Sequence, residues 1–90
     1  MIITRKEIAD MLIKYINREI DLAGLIDWAE EMMMEAEFDR VDFDTIREII
    51  GRLGLADVRA FGITWEECEE FLSQLGYQVK VTIQERLVPV

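Results

Sequence analysis

The stretch DLAGLIDWAEEMMMEAEF, residues 21–38, decides the fold. At about 100° of rotation per residue, its apolar side chains fall on one helical face. They are Leu22, Leu25, Ile26, Ala29, Met32, Met33 and Ala36. Asp21 stands where a side chain can cap the helix. The opposite face is acidic, with Met34 near its middle and Trp28 at the rim of the apolar stripe. The sequence therefore predicts an amphipathic helix.

Two threonines, each followed three residues later by glutamate, mark the starts of two further helices. Thr4 with Glu7, and Thr64 with Glu67, match the capping box, in which each residue satisfies a free backbone N–H of the other. The first pair predicts a helix over about residues 5–17, with an apolar stripe of Ile8, Met11, Leu12, Tyr15 and Ile16. The second pair predicts a helix with Cys68, Phe71, Leu72 and Leu75 on one face, ended by Gly76.

A fourth helix is predicted between the acidic helix and the helix that begins after Thr64. Asp42 or Asp44 can cap it, and Gly54 is placed to supply a left-handed residue at its C-terminal end. Its apolar stripe consists of Ile46, Ile49, Ile50 and Leu53. Residues 38–41, which break the helical pattern, are expected to form a loop.

The period changes to two near the C-terminus. Tyr77, Val79, Val81 and Ile83 alternate with polar residues, which predicts a half-buried β-strand over residues 77–84. Its partner could be residues 1–4, residues 58–63 or the same strand of a second copy. The expected fold is mainly α: a compact bundle of about four helices with one C-terminal β-strand, forming a single domain over residues 1–90.

The charge is strongly acidic and lies in the middle of the chain. The net charge is −9, and residues 21–70 hold 15 acidic and 4 basic residues, a net of −11. Like charges repel, so we expect no binding to nucleic acid or to an anionic membrane. No apolar run is long enough to span a bilayer, no signal peptide is recognisable, and one cysteine suits a reducing compartment. The expected location is cytoplasmic, and the charge suits a basic protein partner or simple solubility.

The residue types argue against an enzyme. The chain has no histidine, the commonest general base, and Cys68 falls on an apolar helix face without an activating base. Asp39, Asp42 and Asp44 do not match the ligand spacing of a calcium-binding loop in either register. We therefore expect no catalytic residues, no metal and no cofactor.

The best candidate site is an acidic surface with apolar anchors that could bind a protein partner. Its candidate residues are Trp28, Glu30, Glu31, Met34, Glu37, Asp39, Asp42, Glu69 and Glu70. Tryptophan and methionine are enriched where partners bind, and acidic side chains accelerate encounter with a basic partner. The alternative is a homodimer formed through the C-terminal strand or an apolar patch.

Two segments resemble small bacterial immunity proteins of the colicin and contact-dependent-inhibition type. NREIDLAGLIDWAEEMM, residues 17–33, is a short polar turn leading into a helix with tryptophan among acids. FLSQLGYQVKV, residues 71–81, runs from a helix through Leu-Gly toward a strand. The resemblance covers about a third of the chain and carries no defined set of contact residues. It implies a small acidic helical protein that binds and neutralises a basic nuclease domain.

Overall fold

The computed structural model describes residues 2–56 and 62–80. Four helices account for most of these residues: α1 (Arg5–Ile16), α2 (Leu22–Glu35), α3 (Phe43–Gly54) and α4 (Trp65–Gln74). Two very short strands, β1 (Ile2–Ile3) and β2 (Glu37–Phe38), pair in parallel, with Ile2 opposite Glu37 and Ile3 opposite Phe38. The prediction of a compact, mainly helical fold is confirmed.

The apolar stripes predicted for the helices meet in one core. All four predicted stripe residues of α3 are fully buried, and they pack with residues of α1, α2 and α4. The principal helix pairs are α2 with α3, α1 with α2, and α1 with α4. Among the described residues every buried side chain is hydrophobic. The core therefore holds no desolvated charge that would need a buried partner.

The start of the acidic helix α2, and the face that it turns toward the core, are largely those that the sequence predicts. The Asp21 side chain accepts a hydrogen bond from the Gly24 N–H at 2.8 Å. Four side chains of α2 are buried: Leu25, Ile26, Ala29 and Met32. Met33 is the exception, because it is 49 % exposed although the helical stripe predicts it in the core. Its sulfur lies against Gly54, the last residue of α3, so Met33 meets that helix at its C-terminal end.

Gly54 has a different role from the predicted one. It is not in the left-handed conformation, and α3 includes it as its last residue. A Cβ at this position would lie 2.7 Å from the Met33 sulfur and 3.9 Å from the Glu30 backbone N. A side chain at residue 54 would therefore displace the Met33 sulfur, whereas the α2 backbone lies at ordinary contact distance. The prediction of a left-handed C-cap at Gly54 was wrong.

The predicted helix starts differ in their side-chain bonds. Thr64 and Glu67 form the predicted capping box at α4, where the Thr64 hydroxyl accepts from the Glu67 N–H at 3.1 Å. Thr4 precedes α1 as predicted, but its side chain makes no capping hydrogen bond. Asp42 precedes α3 in a left-handed conformation with φ 63°, and its side chain does not cap the helix either. That carboxylate lies 3.7 Å from Arg5 instead.

The predicted C-terminal strand is only partly described. Tyr77, Gln78, Val79 and Lys80 have no regular secondary structure, and residues 81–84 lie outside the described residues. Residues 2–3, part of one extended segment predicted as a partner, do form a strand, but they pair with β2. The expected loop at residues 38–41 therefore loses Phe38 to β2.

One ion pair connects α3 to the start of α4. Arg52 Nη2 lies 2.8 Å from Glu67 Oε2 and donates a hydrogen bond to the Gly62 carbonyl at 3.2 Å. Both side chains are about two-thirds buried, so solvent screens the pair less than an exposed one. Glu67 thus ties the capping box of α4 to the C-terminal half of α3.

We expect Glu67→Ala to lower the free energy of unfolding by about 1–2 kcal/mol, since it removes the Glu67 side-chain bond of the capping box and the partner of Arg52 together. Glu66→Ala is the matched control, because Glu66 lies in the same helical turn and is exposed. It should change stability by less than about 0.5 kcal/mol. Urea denaturation measures both. Equal losses in the two variants would contradict this role of Glu67.

Two glycines should respond to alanine in opposite directions. Gly76 follows α4 with φ 92°, where its N–H and that of Tyr77 bond to the Ser73 and Leu72 carbonyls. This is the Schellman motif, so Gly76→Ala should cost about 1 kcal/mol. Gly51 is inside α3, and a Cβ at this position would meet only open space, so Gly51→Ala should stabilise by about 0.5–1 kcal/mol. Thermal unfolding of both variants checks the signs.

Candidate acidic partner-binding surface

The rotation of α2 places a stripe of acidic residues in solvent. Asp27, Glu30, Glu31 and Met34 are all exposed, at helical spacings of three and four, and we call these four residues the acidic face of α2. Their opposite side on the helix is the buried stripe of Leu25, Ala29 and Met32. The packing of α2 therefore fixes which charges point outward.

Met34 is the most exposed large hydrophobic side chain among the described residues. It is 86 % exposed, whereas Met33 is half-exposed and Met32 is 5 % exposed. Three consecutive methionines thus occupy three environments: solvent, the rim and the core. Met34 therefore contributes little to the packing of the described residues and adds apolar surface among the carboxylates.

Leu55 adds an apolar residue that the sequence pattern did not single out. It is 80 % exposed and directly follows Gly54, the residue that lies against Met33. Because Gly54 lies beside the Met33 side chain, the next residue, Leu55, is near the C-terminal end of α2. The sequence could not show this, because the proximity depends on how the two helices cross.

The other predicted residues around the end of α2 have structural contacts. Trp28 is half-buried and packs against the core. Asp39 Oδ1 accepts a hydrogen bond from the Val41 N–H at 3.1 Å, and Asp42 is 3.7 Å from Arg5. Glu37 is exposed and pairs with Ile2 through the backbone of the sheet. Glu30 and Glu31, in contrast, make no ion pair or side-chain hydrogen bond with other described residues, and Met34 is almost fully exposed.

The second predicted acidic group lies on α4. Glu69 and Glu70 are exposed, and with Glu66 and Ser73 they line a shallow depression of about 340 Å³ on that helix. Helix α4 packs mainly on α1, whereas α2 packs mainly on α3. The two acidic groups therefore belong to helices that are not a principal packing pair, and we treat them as separate surfaces.

None of the ion pairs among the described residues involves the acidic face of α2. The three pairs join Arg5 to Asp42, Lys6 to Asp10, and Arg52 to Glu67. Within residues 22–35 there is no basic side chain at all. Within residues 2–56 and 62–80, the carboxylates of this face therefore have no cationic side chain as an ion-pair partner.

Cys68 lies in the core, as its position on the apolar face of α4 predicted. Its side chain is 1 % exposed, and burial raises the pKa of the thiol to about 11. Nearby Glu67 opposes ionisation further. The thiol therefore stays protonated near neutral pH, and the reactive form for nucleophilic chemistry is scarce.

We expect Cys68 to react with Ellman's reagent only as fast as the protein opens, and rapidly after unfolding in urea. Folding raises the pKa of the thiol from 9.0 to about 11, so the folded state holds the thiol proton more tightly than the unfolded state does. This difference contributes fully to the free energy of unfolding below pH about 9, and the contribution is lost as pH rises toward about 11. In that window the stability of the wild type should fall more steeply with pH than that of Cys68→Ala. Identical pH slopes would contradict the burial of this thiol.

Residues 2–56 and 62–80 contain neither a membrane-spanning helix nor a cluster of metal ligands. No helix there is both long and apolar enough to cross a bilayer. The same residues hold no group of three or more cysteine or carboxylate side chains placed to bind a metal ion.

Comparison with known proteins gives no relative from which a function could be transferred. No protein-family model matches the chain, and neither a curated protein nor a solved structure matches it at a significant level. Any functional conclusion therefore depends on the surface itself.

Proposed function

We propose that this protein is a small binding module that uses the acidic face of α2 to hold a basic protein partner. The observation that carries the proposal is the exposure of Met34, at 86 %, on the same face of α2 as Asp27, Glu30 and Glu31. Carboxylates alone would serve solubility, but an exposed methionine among them adds an adaptable apolar contact. Together they suit a partner that presents both cations and apolar side chains.

The charge distribution supports a basic partner in particular. Residues 21–70 carry 15 acidic against 4 basic residues, and α2 contributes acids without any base. A surface potential of one sign raises the association rate with a partner of the opposite sign, and salt weakens the effect. Nucleic acid and anionic membranes would be repelled by the same potential.

An inhibitory role is the form of binding that the sequence resemblance favours. Residues 17–33 resemble immunity proteins, and they include all of α2 except its last two residues, with Asp27, Glu30 and Glu31. Such proteins neutralise basic nuclease domains, for which an acidic surface is a suitable complement. We propose no catalysis, metal or cofactor for this protein, and we propose that it acts in the cytoplasm.

Self-association is the second candidate, and the exposed apolar residues at the end of α2 and α3 favour it. Leu55 is 80 % exposed and Met33 and Met34 lie at the same end. Two copies meeting there would also bring their acidic faces together, and like charges oppose that contact. The predicted C-terminal strand, the other proposed dimer contact, lies partly outside the described residues. Sedimentation at micromolar concentration tests this candidate, because a monomer at all ionic strengths would exclude it.

The binding proposal can be tested with a labelled probe peptide in which lysine and leucine alternate at helical spacing. We expect Glu30→Lys/Glu31→Lys to weaken its binding at low salt by about tenfold or more, because two attractive charges become repulsive. Met34→Ser should weaken binding at high salt too, since it removes an apolar contact without changing charge. Fluorescence anisotropy measures both affinities.

The matched control is Asp44→Lys/Glu48→Lys, which makes the same change of charge on exposed residues of α3. It should reduce affinity much less than the change on α2. The affinity of the Glu69→Lys/Glu70→Lys variant tests whether the surface of α4 takes part in binding. Equal losses in the α2 and α3 variants, or binding insensitive to salt, would mean that the acidic face of α2 is not the binding surface.

A further inference from the structure

A second feature of the molecule lies where α1, α2 and α4 begin or end. An open cavity of about 480 Å³ lies between the end of α1, the start of α2 and the start of α4. This volume is within the usual range of small-molecule sites, about 300–1,000 Å³. Its wall is largely apolar and includes two aromatic rings: Tyr15, Ile16, Ile20, Leu22, Ile63 and Trp65. Trp65 is 43 % exposed, so its indole can still bury surface against a ligand.

The polar part of the wall consists of Arg18 and Asp21. Asp21 is already engaged, because its carboxylate accepts the Gly24 N–H at the start of α2. Arg18 makes no ion pair with any other residue that the structure describes. The cavity therefore offers an apolar wall and one cation without a carboxylate partner among those residues.

The backbone of Arg18 is in a conformation that arginine rarely adopts. Its φ is 61°, and its N–H and that of Glu19 bond to the Tyr15 and Lys14 carbonyls. This is the same Schellman motif that ends α4, where Gly76 occupies the left-handed position. Glycine is the usual residue there, because a Cβ is strained at positive φ. Strained residues of this kind are concentrated at functional sites.

We propose that this cavity binds a small organic anion with an aromatic or aliphatic body. The apolar part would pack against Tyr15, Ile20 and Trp65, and the carboxylate or sulfonate would pair with the Arg18 guanidinium. A guanidinium is suited to such groups, because its planar donors can bond both oxygens of one anion. Strain at Arg18 is then the structural cost of placing a cation at this wall. The proposal is independent of the acidic face, which begins six residues after Asp21 at Asp27.

The test uses two fluorescent probes that differ in charge. 1-Anilinonaphthalene-8-sulfonate has an aromatic body with one sulfonate, and N-phenyl-1-naphthylamine has the same body without it. In a Trp28→Phe background Trp65 is the remaining tryptophan, so energy transfer from it reports a probe bound nearby. We expect the sulfonate to bind at least about tenfold more tightly than the uncharged probe, because charge-assisted hydrogen bonds to Arg18 add to the apolar contact.

Replacement of Arg18 separates binding from folding. Arg18→Gly should raise Tm by about 4–8 °C, because glycine relieves the strain, and it should weaken sulfonate binding by about tenfold. Arg18→Asn, which also tolerates positive φ, should weaken binding in the same way. Lys14→Ala removes an equivalent charge from the last turn of α1, outside the cavity wall, and should leave binding unchanged.

Three results would overturn the proposal. The first is equal binding of the two probes, which would indicate apolar contact without recognition of the anion. The second is sulfonate binding that Lys14→Ala reduces as much as Arg18→Gly, which would indicate a general charge effect. The third is bound sulfonate without energy transfer from Trp65, which would place the probe elsewhere on the protein.

Discussion

Helix α2 packs against α3 through a narrow apolar stripe, and this contact determines what the rest of the surface presents. Leu25, Ala29 and Met32 enter the same core as the isoleucines of α3. Once that stripe is buried, the helical period leaves Glu30, Glu31 and Met34 in water. The charged surface is thus a consequence of core packing, and a rotation of α2 would bury carboxylates at a prohibitive cost.

The packing of α3 on α2 also determines which exposed apolar residues lie near the acidic face of α2. Gly54, the last residue of α3, lies against Met33 and near the backbone of Glu30. The C-terminal end of α3 is therefore close to the C-terminal half of α2. Leu55 then emerges beside it. Leu55 and Met33 therefore add exposed apolar surface near the acidic face of α2, and the proposed partner would contact both kinds of side chain.

The helical period alone was enough to predict much of this arrangement, and its failures have identifiable causes. The stripe of α3 is fully buried along its length, whereas Met33 lies on the buried side of α2 but in its last turn, where its sulfur meets Gly54, the last residue of α3. The parallel pairing of Ile2–Ile3 with Glu37–Phe38 could not be predicted, since two residues are too few to show alternation. Thr4 matches the capping box in sequence, but its side chain makes no capping bond. The cavity beside Arg18 could not be predicted either, because it depends on the meeting of three helix ends.

The most direct measurement of the rotation of α2 is the rate at which hydrogen peroxide oxidises each methionine, resolved by mass spectrometry. Met34, Met33 and Met32 are 86 %, 49 % and 5 % exposed, so we expect oxidation in that order, with Met32 slowest by a wide margin. A basic partner bound to α2 should protect Met34 most. If Met32 were oxidised as fast as Met34, α2 would not have the rotation described, and the acidic face would not exist as a surface.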